Sequence, residues 1–302
     1  MSNNLPLDLA IIIVNYNGSS LLRDCIESIL TNTEGLKYEI VVIDNASQDD
    51  SVELAQLNFP NVRYILNPRN VGFAAANNQG LALSNATFYA LLNNDTVLLN
   101  NTFTLLVNYL REQSDAAIAG PKIFADEDMR KIQTTCFKRF PSLSASFIHQ
   151  ISSITGLKRR FPHSRVVQWL AMETYDHDSL QDAAHLNGAC LVVRQSALDQ
   201  VGYLDESYFM YLEETDWCYR FRQHGWRIAF VPEAKLVHFG ASSGDNFGRY
   251  HYASKRYFLR KHYGRGHELA YMMEYAAMRR LAPSLASLPA QEYVTGSKFL
   301  EQ

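Results

Sequence analysis

Through its first half the chain alternates short apolar runs with stretches of helical periodicity. Leu9–Val14 (LAIIIV) is β-branched and almost unbroken in apolarity, the pattern of a parallel strand buried on both faces. Asn15–Ser20 is turn-forming, and Leu21, Leu22, Cys25, Ile26, Ile29 and Leu30 then recur at helical spacing. Tyr38–Ile43 predicts a second strand, and Asp44–Ser51 a loop able to cap the next helix. Val62–Leu66 predicts a third strand, ending in the loop Asn67–Gly72. Phe73–Leu83 predicts a helix, Tyr89–Leu92 a short strand broken by Asn93–Thr96, Thr102–Leu110 a helix and Ala116–Gly120 a strand. After a less regular middle, Cys190–Val193 predicts a strand, Glu213–His224 a helix, Ile228–Val231 and Lys235–Val237 strands, and the tail from Arg249 is helical. Repeated strand–helix units predict an α/β fold with a mostly parallel sheet and helices on both faces. Ligands gather beyond the carboxyl ends of such strands, where the polar clusters after Val14, Ile43, Leu66 and Leu92 all fall.

Composition narrows the picture. Of 302 residues 47% are hydrophobic and 20% charged, which suits a packed core and excludes wholesale disorder. A net charge of −3 argues against a dedicated nucleic-acid binder. The four cysteines form no C-x-x-C pair, so neither a zinc site nor a disulfide framework is expected, and a reducing compartment is. No apolar run is long enough to predict a membrane span, and Leu9–Val14 is too short for a signal-peptide core. One segment departs from the average. Met129–Leu170 holds eight Lys or Arg and no acid, with Leu143, Phe147, Ile148, Ile151 and Ile154 at roughly helical spacing. It reads either as a lid whose charges are solvated or as an interfacial helix drawn to anionic lipid. Arg249–Arg265 could add a second basic patch.

Two common nucleotide signatures are absent: there is no G-x-x-x-x-G-K-[ST], and no G-x-G-x-x-G follows the first strand. The strand ends carry Asn, Asp and small residues instead, which suit hydrogen-bonded recognition of a base and ribose. Asp44 could accept from a base N–H or a ribose hydroxyl, or cap the following helix. Asn70, Gly72 and Asn77 mark a loop-to-helix start, readable as a ligand loop or a plain turn. Asp95, in Asn93-Asn94-Asp95, could hold a divalent cation bridging two phosphates, or belong to an ordinary turn. Glu213, Glu214 and Asp216 open a helix, where the dipole favours acids. Three close carboxylates also repel, so one can have the raised pKa of a general base. Asp216, Arg220 and Arg222 are spaced for pairing along the helix, so Asp216 reads as structural. His238 becomes a metal ligand only if Asp95 lies nearby.

Taken in order, these elements resemble family 2 glycosyltransferases, in particular their rhamnosyltransferase-like branch. The matching residues are Val14-Asn15-Tyr16-Asn17-Gly18, Val42–Ser47, Asn70–Ala74, Asn93-Asn94-Asp95, Asn187–Cys190, Phe209–Asp216 and His238, across residues 8–263. The resemblance implies a GT-A fold with a helical C-terminal extension, a nucleotide-diphosphate-sugar donor, Mg²⁺ or Mn²⁺, and inversion at the anomeric carbon. It implies a nucleotide-sugar-binding half over residues 1–125, a variable basic lid or membrane-proximal segment over 126–186, an acceptor and catalytic half over 187–245, and a helical extension over 246–302. Carried over residue by residue, Asp44 meets the base, while Asn15, Asn17, Asn70, Gly72 and Asn94 line the nucleotide pocket. Asp95 and His238 hold the metal, Asn93 standing where the family's D-x-D has its first acid. Glu214, beside Glu213, stands at the family's base position, one methylene longer than the usual Asp. Gly188, Ala189 and Tyr211 fall on the acceptor side.

The implied reaction moves a sugar, rhamnose from dTDP-rhamnose foremost, to a saccharide or lipid-linked saccharide in cell-surface polysaccharide synthesis; UDP-hexoses and UDP-galactofuranose stay open as donors. The implied setting is the cytoplasm, with peripheral contact at the inner face of an anionic membrane as an open alternative and no nucleic-acid partner. A sugar nucleotidyltransferase is the alternative enzyme class, although Asn15–Ser20 is not the Gly-rich, Arg/Lys-containing loop it would need. A non-catalytic sugar-binding module is the remaining alternative.

Overall fold

The computed structural model of the protein describes residues 7–133, 136–144, 160–161, 164, 176–240 and 247–281. The first strand β1 (Leu7–Asn15) is paired in parallel on one side with β2 (Tyr38–Asp44) and on the other with β4 (Ala86–Asn93). β3 (Arg63–Leu66) extends the sheet in parallel beyond β2. Leu9–Ile13 are fully buried, as a strand covered on both faces requires. The connections α1 (Ser19–Asn32), α2 (Ser51–Asn58) and α3 (Phe73–Leu83) complete three strand–helix units.

Beyond β4 the sheet changes character. β5 (Thr96–Leu98), α4 (Thr102–Glu112) and β6 (Ala116–Phe124) are followed by the short β7 (Phe137–Lys138), β8 (Gln181–Asp182) and β9 (His185–Leu186), then β10 (Cys190–Arg194) and α5 (Gln195–Val201). α6 (Glu213–Gln223) leads into β11 (Arg227–His238), and α7 (Phe247–Tyr263) and α8 (Arg265–Leu281) form the helical extension. Among the described residues the sheet has nine strands and runs β3-β2-β1-β4-β10-β6-β11-β5, with β8 also on β11. β10 is antiparallel to both β4 and β6, and β5 is antiparallel to β11.

Three local readings of the sequence are revised. Ile228–Val231 and Lys235–Val237 belong to one strand, β11, whose register shifts between Val231 and Lys235 around Pro232. A proline cannot donate to the ladder, so it sits where the ladder is interrupted. Thr96, read as the end of a loop, opens β5. The helix α5 carries no strong apolar periodicity and was not expected from the pattern.

Much of the basic middle segment, including Phe147, Ile148, Ile151, Ile154, Lys158, Arg159 and Arg165, lies outside the described residues. Where it is described, Cys136 and Phe137 are buried in the main core, and Leu143 packs against Tyr252, Leu259 and Tyr271 of α7 and α8. Among the described residues, no helix is long and apolar enough to cross a membrane.

Candidate active site

Parallel pairing puts the ends of β1, β2 and β4 side by side, because Asn15 is in register with Asp44 and Val14 with Asn93. Asn15 is fully buried and ties this row together. Its amide donates to Asp44 Oδ1 (2.9 Å), Ser47 Oγ (3.1 Å) and Ser51 Oγ (3.0 Å), and its oxygen accepts from Asn94 Nδ2 (2.7 Å). Gly18 leaves room for that last bond: a Cβ there would stand 2.3 Å from Asn15 Oδ1 and 2.5 Å from Asn94 Nδ2. Asp44 also accepts from the hydroxyl and backbone N–H of Ser47. Asn17 is exposed, with a positive φ, and accepts from Gln48 N–H.

The loops after β2 and β3 are joined through Asn45, which donates to the Gly72 carbonyl (3.2 Å) and accepts from Asn67 (2.9 Å). Asn70 accepts from Gly72 N–H, and Gly72 has φ +88° with space for no side chain, since a Cβ would meet the Phe209 carbonyl at 2.7 Å. The glycine therefore lets the start of α3 approach the loop before α6, and Phe73 N–H donates to the same carbonyl (2.8 Å).

β5 and β11 bring the Asp95 loop to His238. His238 is in register with Thr96, and Phe239 N–H donates to the Asp95 carbonyl. His238 Nε2 lies 3.3 Å from Asp95 Oδ1 and 3.3 Å from Asn93 Nδ2. Among the described residues no group of three or more His, Cys, Asp or Glu side chains is gathered to hold a metal. A hard divalent ion bound with a nucleoside diphosphate needs only one or two side chains, the phosphates and water supplying the rest. Two cis donors of an octahedral ion lie about 3 Å apart, so the carboxylate–imidazole pair fits such a group.

Glu213 and Glu214 open α6 in different surroundings. Glu213 is only 4% exposed and its Oε2 has no hydrogen-bond partner among the described residues; burial, with the Glu214 charge beside it, pushes its carboxyl well above the usual carboxylate range. Glu214 is half-buried, packs on Gly188 and accepts from the Thr215 hydroxyl (3.1 Å). The two residues before them, Tyr211 and Leu212, both have positive φ, near +68° and +65°. Side-chain-bearing residues hold that conformation only when the surroundings impose it. Here the Ser254 hydroxyl of α7 donates to the Met210 carbonyl (2.8 Å), and Asp205 accepts from Tyr257 and Lys261.

Asp216 anchors the same helix. It accepts from Arg220 (2.8 Å), and Lys261 and His262 of α7 each stand 2.7 Å from its Oδ1. Burial alone would raise its pKa, but these partners outweigh burial and hold it at about 2. The structural reading of Asp216 therefore has its partners in hand, two of them from α7.

A cavity of about 590 Å³ opens over these elements. Asn70, Asn94, Gly188, Ala189, Tyr211, Glu213, Glu214 and His238 line it, whereas Asn15, Asn17, Asp44, Gly72 and Asp95 stand outside its wall. Asn15 and Gly72 shape the lining loops through the contacts above, and Asp95 approaches the cavity at His238. Sequence reasoning did not single out Gln133, Arg139, His185, His251 or Lys255, which also line it. Arg139 belongs to the stretch read as a basic lid or membrane-proximal segment, and His251 and Lys255 to the second basic patch, and nothing in their spacing points to a cavity.

The sheet and its flanking helices form a GT-A fold. Solved structures agree on the fold: GalNAc-T7 with UDP, GalNAc and Mn²⁺ superposes with a TM-score of 0.55 at 18% identity, over 78% of this chain and 44% of that one. Staphylococcus aureus TarS 1-349 superposes with a TM-score of 0.53 at 13% identity, over 92% of this chain and 74% of that one.

The chain belongs to glycosyl transferase family 2, whose model matches residues 10–202. It is 27% identical over 246 residues to the Mycobacterium tuberculosis N-acetylglucosaminyl-diphospho-decaprenol L-rhamnosyltransferase, covering 78% of this chain and 77% of the relative. It is 26% identical over 268 residues to Escherichia coli rhamnosyltransferase WbbL, covering 83% and 92% respectively. A Haloferax volcanii low-salt glycan biosynthesis hexosyltransferase, Agl10, is 27% identical over 236 residues, covering 76% and 67%.

Proposed function

We propose that the protein is an inverting, metal-dependent rhamnosyltransferase that moves rhamnose from dTDP-rhamnose to a saccharide or lipid-linked saccharide in cell-surface polysaccharide synthesis. The observation that carries this reading is the convergence of Glu214, His238 and the loop ends of β1, β2 and β4 on one cavity. The similarity to two rhamnosyltransferases favours rhamnose, and the diphospho-decaprenol in the name of one favours a lipid-linked acceptor. In this reading the enzyme works at the cytoplasmic face of a membrane, its basic residues drawn to anionic lipid.

In this reading the loops at Asp44, Asn70 and Asn94 seat the nucleoside, and Asp95 and His238 hold Mg²⁺ or Mn²⁺. When bound, the ion supplies Lewis-acid stabilisation of the charge that develops on the leaving diphosphate. Glu214 accepts the acceptor hydroxyl proton as that oxygen bonds to the anomeric carbon. The bond from that carbon to the diphosphate breaks in the same displacement, which inverts the centre. Glu213, whose carboxyl burial and the neighbouring Glu214 charge push well above the usual range, stands beside Glu214 in the same cavity. A panel of nucleotide sugars, scored for release of nucleoside diphosphate with and without excess EDTA, tests the reading. Release is expected from dTDP-rhamnose and is expected to stop on chelation. Release only from another donor would overturn the rhamnose assignment, and full turnover in EDTA would remove the metal.

A further inference from the structure

Gln133 reaches His238 at two atoms. Its Nε2 is 2.7 Å from the His238 backbone carbonyl, and its Oε1 is 3.2 Å from His238 Nδ1. A carbonyl only accepts, so the first contact fixes which end of the amide is which. The amide oxygen also only accepts, so His238 Nδ1 must carry the hydrogen of the second contact. The neutral imidazole is therefore the Nδ1–H tautomer, with its lone pair on Nε2. Nε2 is the atom that lies 3.3 Å from Asp95 Oδ1 and 3.3 Å from the Asn93 side-chain amide. The opposite tautomer would set a bare Nδ1 against the Gln133 oxygen and place a hydrogen where a cation is to be held.

Gln133 is itself held still. Its N–H donates to the Ile123 carbonyl at the end of β6 (2.9 Å), and its own carbonyl accepts from Cys136 N–H (3.1 Å). Its neighbour Ile132 forms a β-bridge with Phe124. We infer that Gln133 is a positioning residue that locks His238 in the Nδ1–H tautomer and thereby presents Nε2, with Asp95, to a divalent cation. The inference rests on the metal reading above for its purpose, but the tautomer can be read without any metal.

The test takes the full-length protein, free of metal, and reads the His238 ring nitrogens by long-range ¹H–¹⁵N NMR, assigned with His238→Ala. Wild type is expected to show the Nδ1–H form. Gln133→Met, similar in length but unable to accept in that geometry, is expected to lose this preference. Gln133→Glu, which keeps an acceptor oxygen, is expected to retain it even if the backbone contact weakens. A second arm titrates Mn²⁺ by electron paramagnetic resonance in the presence of dTDP. Loss of an outer hydrogen-bond partner of a ligating histidine weakens metal affinity by about 10–100-fold, so Gln133→Met is expected to bind Mn²⁺ more weakly by that factor and Gln133→Glu to recover most of it. An Nε2–H form in wild type, or the same tautomer and Mn²⁺ affinity in Gln133→Met, would overturn the inference. Wild type that shows the Nδ1–H form but binds no Mn²⁺ would overturn the metal reading and leave the tautomer lock standing.

Discussion

Two adjacent glutamates in one cavity differ because one is buried and the other half-buried. Glu213 is held above the usual carboxylate range by burial and by the Glu214 charge, so its effect on stability has a definite sign. A raised carboxyl costs nothing below its ordinary value of 4.5, where it is protonated folded and unfolded alike. As pH rises past that value the unfolded chain releases the proton first, and folding stability falls until the raised value is passed. Glu213→Gln removes this cost. In thermal unfolding at about pH 4 and about pH 8, the variant is expected to melt with wild type at the lower pH and above it at the higher. Equal melting at both would mean that the Glu213 carboxyl is not raised in the fold.

Between elements, α6 and α7 meet through Asp216. Its carboxylate is fully buried and faces Arg220 on its own helix and Lys261 and His262 on α7. Breaking a buried ion pair by removing one partner costs about 3–5 kcal/mol, and Asp216→Asn is expected to lose about that much at neutral pH. The pKa is depressed, so this stability is full above the ordinary 3.8 and is lost as pH falls through about 2. The gap to wild type in denaturant unfolding is therefore expected to narrow over that window, and a gap independent of pH would assign the loss to packing.

The unbroken apolar run of β1 and the polar clusters after it were legible, because a strand buried on both faces must be apolar and the loop beyond it must turn. The antiparallel direction of β10 was not, because Cys190–Val193 is buried on both sides whichever way it runs. β11 looked like two strands because Pro232-Glu233 resembles a break. The pairing of Asp216 with Arg220 followed from helical spacing, but Lys261 and His262 lie 45 and 46 positions away in sequence and only tertiary packing joins them. Gln133 was invisible for the same reason, with 105 positions between it and His238.

In the whole molecule, the parallel half of the sheet supplies the loops proposed to seat the nucleotide. The mixed half supplies Glu214 and His238, and α7 braces the loop leading into α6. The cavity lies between these parts, and its proposed chemistry needs both: a seat that holds the donor and a base that takes the acceptor proton. The most direct measurement is therefore turnover and donor affinity on the same preparation, for wild type and Glu214→Gln, with Glu213→Gln alongside. A positioned general base contributes about 10²–10⁴-fold to rate, so Glu214→Gln is expected to lose that factor in turnover while its donor Kd stays at the wild-type value. Glu214→Gln that turns over like wild type, or loses donor binding along with turnover, would contradict the assignment of Glu214 as the base.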